Sequence, residues 1–186
     1  MALIFKNNYK KLKKNAKELI KRFNTKSNNK NIIMGCDLSG HSTGISIIDK
    51  DNNLLFMDKI YIPGYVKTPT DLRISTFVLG LQRIINRYKP SIAIVEDIFS
   101  MNITTHSTLA RIHGIFLYHM MRNNIKVYYI HPSSAKAFIE CKTKEQVFEK
   151  VTKMYNLKLD FKECNDGVDG LLMALNHKNK KSLKEA

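Results

Sequence analysis

The chain has 186 residues, about the size of one domain with a substantial hydrophobic core. Its 31 lysines and arginines against 16 acidic residues give a formal net charge of +15, which favours a polyanionic partner such as nucleic acid or an anionic membrane surface. The three cysteines form no CxxC pair and no ligand spacing with the six histidines, which argues against a structural zinc site or a disulfide framework. No apolar run approaches the roughly 18 residues of a membrane span, so we expect no such span and an intracellular protein.

Basic residues are concentrated at the start of the chain. Residues 1–30 hold ten lysines and arginines and one acid, Glu18, so they supply +9 of the net charge of +15. Apolar residues recur there at helical spacing, which predicts a basic extension that is partly helical or disordered. Targeting, DNA affinity and partner binding are all open as its role. We therefore expect an extension over 1–30 and one globular domain over 31–186.

The rest of the chain reads as a series of strands and helices. Three short apolar runs, over 32–37, 44–48 and 54–62, predict three antiparallel strands. The patterns that follow predict two helix–strand pairs. The first is a helix over about 70–89 with a strand over 91–96, and the second is a helix over 104–121 with a strand over 126–130. Three more helices are predicted after these, over about 133–139, over 144–155 and from near Asp166 onward. Three leading strands followed by alternating helices and strands indicate an α/β fold. Its sheet would be mixed and five-stranded, with the later strands parallel and with helices flanking it.

Four acidic residues lie where these elements begin or end. Asp37 and Glu96 each end an apolar strand run, and Asp166 and Asp169 open the last, otherwise apolar helix. Functional groups collect at the carboxyl ends of parallel strands, and residues three apart share a helix face. Each acid alone also has an ordinary interpretation, as the first solvated residue after a strand or as a favourable residue in a first helical turn. Together they predict one acidic site, provided that the last helix packs across the two strand ends.

Carboxylates without neighbouring Cys/His clusters are hard oxygen ligands, which suit Mg²⁺ or Mn²⁺ better than zinc. Two such ions about 3.5–4 Å apart can hold an attacking water and the leaving oxygen of a phosphodiester in line. The residues therefore predict metal-assisted phosphodiester hydrolysis, with the basic surface binding the nucleic-acid backbone.

Four short motifs occur in order along the chain: Gly35-Cys36-Asp37-Leu38-Ser39, Ile94-Val95-Glu96-Asp97-Ile98-Phe99, Arg111-Ile112-His113-Gly114 and Asp166-Gly167-Val168-Asp169-Gly170-Leu171. In order and spacing they resemble the RuvC-type Holliday-junction resolvases of the RNase H-like (retroviral integrase) superfamily, over about residues 31–178. The resemblance implies an RNase H-like fold and a crossover-junction endodeoxyribonuclease. Many relatives have Asp-Pro-Gly after the first strand where this chain has Asp37-Leu38-Ser39-Gly40, so we carry over no cleavage-sequence preference.

The resemblance also implies roles for individual residues. The metal-binding catalytic acids would be Asp37, Glu96, Asp166 and Asp169. Phe99 matches the family's aromatic residue that wedges into the opened junction, although a core phenylalanine after a strand is an equally ordinary interpretation. Lys136 and Lys144 fall where the family has basic residues that contact the scissile region, and solvated helix lysines are the ordinary alternative.

The implied cofactor is Mg²⁺, replaceable by Mn²⁺, with two ions at each site. The implied partner is branched DNA, a four-way junction, and its two-fold symmetry favours a homodimer that makes one nick per subunit. The protein would be located in the cytoplasm or nucleoid. The cytoplasm of a virus-infected host and an organelle matrix are alternative locations.

Three other functions stay open. The same scaffold could cut flaps, forks or hybrid nucleic acid, or the domain could bind junctions without cutting them. The third is an ATP-dependent sugar-kinase or actin-like protein, whose first strands also carry an Asp and a phosphate loop much like the stretch from Asp37 to Gly44. Those proteins duplicate the domain, and 186 residues are too few for two copies.

Overall fold

A computed structural model describes residues 31–62, 67–98 and 103–186. The predicted extension over 1–30 and the predicted DNA-binding residue Phe99 lie outside the described residues, so both stay predictions. Among the helices that are described, none is long and apolar enough to cross a bilayer.

The described residues form six strands and five α-helices. In chain order the elements are β1 (Ile32–Asp37), β2 (Ser42–Asp49), β3 (Leu54–Tyr61), α1 (Thr70–Tyr88), β4 (Ile92–Glu96), α2 (Ile103–Arg122), β5 (Lys126–Ile130), α3 (Pro132–Phe138), α4 (Lys144–Met154), α5 (Phe161–Leu175), a 3-10 turn at Asn176–Lys178, and β6 (Lys184–Glu185). All five strands and all five helices predicted for residues 31–186 are present. Their boundaries differ by one or two residues, except at the start of α5.

The strands form one mixed sheet in the order β3-β2-β1-β4-β5-β6. β1, β2 and β3 pair antiparallel, whereas β1, β4 and β5 pair parallel, which confirms the predicted mixed α/β fold. The sixth strand was not predicted. β6 has only two residues and pairs antiparallel with β5 at the sheet edge, and so short a segment carries no periodicity to detect.

The helices cover the two faces of the sheet. Side chains of α1 and α2 pack on one face, together with Met34 and Cys36 of β1. Side chains of α3, α4 and α5 pack on the other face, together with Ile33 of β1 and Ile94 of β4. Because successive strand residues point to opposite faces, Asp37, four positions after Ile33, and Glu96, two positions after Ile94, also lie on the α5 face. That parity decides where the strand-end acids point.

The last helix begins earlier than predicted. The predicted start near Asp166 is wrong, because α5 begins at Phe161. Asp160 is the N-cap residue, and its side chain accepts a hydrogen bond of 3.1 Å from the Glu163 N–H. The Phe161 ring packs edge-on against Phe148 of α4, with ring centroids 5.0 Å apart, and anchors the first turn. Asp166 therefore lies in the body of α5, and a helix-start role does not account for it.

The middle of α5 lies unusually close to the sheet. A Cβ atom at Gly44 of β2 would overlap the backbone carbonyl of Asp166, and one at Gly35 of β1 would overlap the backbone of Gly170. The hydroxyl of Ser46 also donates a 2.9 Å hydrogen bond to the Gly167 carbonyl. The absence of side chains at these positions allows α5 to lie directly on β1 and β2, next to the carboxyl end of β1.

Candidate active site

Two of the predicted acids end neighbouring parallel strands. β1 and β4 pair in register with Cys36 opposite Val95, so Asp37 and Glu96 follow the last paired residues side by side. Asp37 lies four positions after Ile33 and Glu96 two positions after Ile94, and both therefore face α5. The predicted requirement that the last helix packs across these strand ends is met.

The four acids lie near enough for their charges to influence one another. Burial raises the pKa of Asp37 to about 8, and the charges of Glu96, Asp169 and Asp166 add to that rise, while Lys144 opposes it. The pKa of Asp37 is thus raised by the charges of all three other predicted acids. The structure brings Asp37, Glu96, Asp166 and Asp169 together at one edge of the sheet.

The pKa values of two other acids, Glu96 and Asp169, are also raised. The pKa of Glu96 is raised first by burial and then by the charge of Asp169, with Lys136 and Lys144 acting in the opposite sense. The pKa of Asp169 is raised by burial and by Asp166, although its hydrogen bond to Lys144 opposes this. Like charges held close in a partly dehydrated site favour protonation unless a cation compensates them. The site therefore has more negative charge than its neighbours neutralise.

Both predicted lysines lie beside these acids. The Lys144 ammonium is 2.5 Å from Oδ2 of Asp169. Burial lowers the pKa of Lys144, but the hydrogen bond and the charge of Asp169 outweigh it and the pKa is raised overall. A capping box between Thr143 and Gln146 fixes the start of α4 and with it Lys144, the first helical residue. Lys136 on α3 is close enough to lower the pKa of both Glu96 and Asp169.

Two further side chains hold Asp166, and sequence reasoning missed both. The Ser42 hydroxyl donates a 2.6 Å hydrogen bond to Oδ2 of Asp166. The Lys59 ammonium lies 3.5 Å from the same oxygen. Ser42 begins β2 and Lys59 lies in β3, opposite Gly44 in the strand register. The sequence signal was weak, because a lysine in a loosely alternating strand reads as an ordinary outward-facing residue.

The third motif lies on the other side of the sheet. The His113 ring is buried and stacks on Tyr129, with centroids 5.9 Å apart. Burial lowers the pKa of His113 to about 4, against the opposing charge of Asp97. Asp97, His113 and Tyr129 therefore form a polar group under α2, which agrees with the expectation that strand alternation turns Asp97 away from the acidic site. His113 is neutral at pH 7 and belongs to the core.

The donor chemistry of the acidic site fits a hard divalent cation. Oxygen ligands alone, partly dehydrated and with mutually raised pKa values, match the ligand preference of Mg²⁺ and Mn²⁺. Within the described ranges, however, no three Asp, Glu, His or Cys side chains are arranged closely enough to hold a metal ion. Ammonium groups lie on two of the carboxylates instead, Lys59 on Asp166 and Lys144 on Asp169.

Comparisons with known proteins identify the family of this chain. The family model "Crossover junction endodeoxyribonuclease RuvC" matches residues 33–177, a range that includes all four acids. A relative of that name from Rubrobacter xylanophilus is 26% identical over 159 residues, 81% of this chain and 87% of the relative. One from Neisseria meningitidis is 31% identical over 155 residues, 78% of this chain and 83% of the relative.

A solved structure shares the fold. The structure described as T. thermophilus RuvC in complex with Holliday junction substrate superposes with a TM-score of 0.73 at 18% identity, covering 84% of this chain and 99% of that chain. At this identity the likeness concerns the fold alone. The family is shown by the match to the family model and by the similarity to the relatives. The chain belongs to the RuvC family of crossover junction endodeoxyribonucleases.

Proposed function

We propose that this chain is a divalent-cation-dependent endonuclease that resolves four-way DNA junctions by paired phosphodiester hydrolysis. The observation that carries the proposal is the convergence of four carboxylates from β1, β4 and α5, which raise one another's pKa at one edge of the sheet. The names of the curated relatives and the junction-bound structural neighbour support a four-way junction as the substrate class.

The four acids are the proposed metal ligands. Asp37, Glu96, Asp166 and Asp169 would hold Mg²⁺, or Mn²⁺ in its place, as two ions per site. Bound there, the ions would supply an activated water and charge stabilisation at the leaving oxygen. Ser42 orients Asp166 through its hydrogen bond, and Lys144 neutralises and orients Asp169. These contacts hold the two α5 carboxylates in place.

Three residues are proposed to contact DNA beside the acids. Lys136 and Lys144 place positive charge next to Glu96 and Asp169, where the phosphate to be cut would lie. Phe99 follows Glu96 by three residues in the chain, which supports a role close to the same phosphate. We propose that its ring inserts between bases of the opened junction.

We propose a homodimer in which α2 packs against its own copy. The outward face of α2 carries exposed Ala110, Gly114, Tyr118 and Met121 at helical spacing, and the last two side chains are 59% and 74% exposed. A Cβ at Gly114 would meet nothing within 4 Å, so a second helix could approach closely there. Small residues beside large exposed apolar ones suit helix-on-helix association, and a two-fold dimer matches a two-fold junction.

Replacing Met121 by Glu should convert the dimer to monomer at micromolar concentration, because a charge would be buried in the helix contact. Sedimentation velocity measures this directly. The matched control is Met154→Glu on α4, where the methionine is 56% exposed and lies outside the proposed contact. A dimer that persists in Met121→Glu, or one that Met154→Glu disrupts equally, would contradict the α2 interface.

We place the nuclease in residues 31–186 and propose that residues 1–30 add DNA affinity, targeting or partner binding. The +9 charge of that extension supports the first of these. Because the proposed substrate is DNA, we propose that the protein acts inside the cell, in the cytoplasm or nucleoid. A virus-infected host cell and an organelle matrix are alternative locations.

Cleavage assays on a panel of labelled substrates of equal length test the proposal. A four-way junction should be cut in Mg²⁺ by paired nicks, much faster than a duplex, flap, fork or RNA–DNA hybrid, and no product should form in EDTA. Equal cutting of flaps, forks or hybrids would favour a less selective nuclease instead. Tight, salt-sensitive junction binding without product would leave only a binding module.

A further inference from the structure

Lys59 faces two different environments. Its ammonium lies 3.5 Å from Oδ2 of Asp166, so it is a counter-ion of the acidic site. The same residue lines a groove of about 790 Å³ between β3 and the first turns of α5. Gly167, the neighbour of Asp166, also lines this groove, which therefore opens directly beside the acidic site.

The lining of the groove suits a strand of nucleic acid. Lys59 and Lys162 provide two ammonium groups, Tyr61 and Leu159 provide apolar surface, and the carboxylates of Asp58 and Glu163 lie among them. The Tyr61 side chain is 46% exposed, so its ring can contact a base, while the lysines can pair with phosphates. The volume is large enough for a nucleotide.

Of the two lysines on the α5 acids, Lys59 is the one held loosely. Its distance to Asp166 is 3.5 Å, whereas Lys144 lies 2.5 Å from Asp169. Asp166 does not depend on Lys59 for its orientation, because the Ser42 hydroxyl holds the same carboxylate oxygen at 2.6 Å. Lys59 can thus leave Asp166 while the carboxylate stays in place.

We propose that Lys59 is a shared counter-ion that couples DNA binding to cation binding. In the free protein its ammonium neutralises Asp166 and competes with a divalent cation for that carboxylate. When a DNA strand lies in the groove, Lys59 pairs with a backbone phosphate instead, and Asp166 becomes available to the cation. The proposal rests on the function proposed above and adds that each ligand strengthens the binding of the other through Lys59.

Binding measurements on Lys59→Gln test this without relying on cleavage. Isothermal titration with Ca²⁺ in the absence of DNA should give an affinity about three- to five-fold higher than for the wild type, because a competing cation has been removed. Fluorescence anisotropy in EDTA should show weaker junction binding, with a salt slope smaller by about 1. The gain in Ca²⁺ affinity that DNA causes should be smaller in the variant than in the wild type.

Lys150→Gln is the matched control, because Lys150 also pairs with a carboxylate, Glu140 at 3.1 Å, and neither residue is among the charges that shift the pKa of Asp37, Glu96 or Asp169. It should match the wild type in all three measurements. Unchanged or weaker Ca²⁺ affinity in Lys59→Gln would overturn the competition, and unchanged salt dependence would overturn the phosphate contact. Failure of the proposed function would show itself separately, as a wild-type protein that binds the junction and does not cut it in Mg²⁺.

Discussion

Asp37→Asn should reduce the single-turnover rate of junction cleavage by about 10³-fold or more and leave junction affinity within about two-fold of the wild type. Asp37 is the acid whose pKa is raised by the charges of all three others. Asparagine keeps the shape of the side chain but removes the negative charge that a hard cation requires. Phosphate contacts made by lysines elsewhere are unaffected, so binding should persist.

Asp97→Asn is the appropriate control for that experiment. Asp97 follows Glu96 directly, but it lies on the opposite face of the sheet with His113 and Tyr129. Asparagine there retains the oxygen that accepts a 2.9 Å hydrogen bond from the Ile98 N–H. This variant should cut at a rate close to the wild type. Cleavage by Asp37→Asn above about a tenth of the wild-type rate would contradict the assignment of Asp37.

The same Asp37→Asn substitution should stabilise the folded protein in EDTA, and increasingly so as the pH rises. The pKa of Asp37 is about 8 when folded, against an ordinary value near 3.8. Below pH 4 both states are protonated, whereas between pH 4 and 8 the unfolded chain loses this proton and the folded chain keeps it, so wild-type stability falls with rising pH. Asparagine removes that loss, on the order of 3 to 5 kcal/mol at pH 8.

Urea denaturation in EDTA at pH 5 and pH 8 measures this effect. The advantage of Asp37→Asn over the wild type in free energy of unfolding should grow by about 3 kcal/mol between the two pH values. Excess Mg²⁺ should narrow the difference at pH 8, because a cation that binds the folded wild type stabilises it. An advantage that is the same at both pH values would mean that Asp37 does not carry the raised pKa.

The strand-end acids were predictable because their signals are local. Buried parallel strands are short apolar runs, so Asp37 and Glu96 stand out as the carboxylates that end two such runs. Period-two alternation then fixes the face on which each side chain lies, including the turn of Asp97 away from the site. Local sequence signals were sufficient for these residues, because strand pairing keeps both their order along the chain and the face of the sheet on which each side chain lies.

The start of α5 was not predictable from the same signals. Asp160 and Asp166 are both ordinary N-cap residues, and the sequence offers no local reason to prefer one. The choice is made by tertiary contacts, since Phe161 packs on Phe148 and extends the helix by a turn and a half. Asp166 nevertheless keeps its three-residue spacing to Asp169, so the predicted pairing of the two acids survived the wrong boundary.

Ser42 and Lys59 escaped prediction because their roles exist only in three dimensions. Both lie in the β2–β3 hairpin, more than 100 residues before Asp166 in the chain. Their contacts depend on how closely α5 approaches β2, which the Gly44–Asp166 contact decides. A single sequence carries no trace of that distance.

Cleavage of one labelled four-way junction by the wild-type chain, over a Mg²⁺ titration that begins in EDTA, tests most directly whether the four acids form a cation-dependent nuclease. Paired, symmetrical nicks should be absent in EDTA and should increase with Mg²⁺ until the site is saturated. Product formed in EDTA, or a junction that is bound but never cut at any Mg²⁺ concentration, would contradict the assignment.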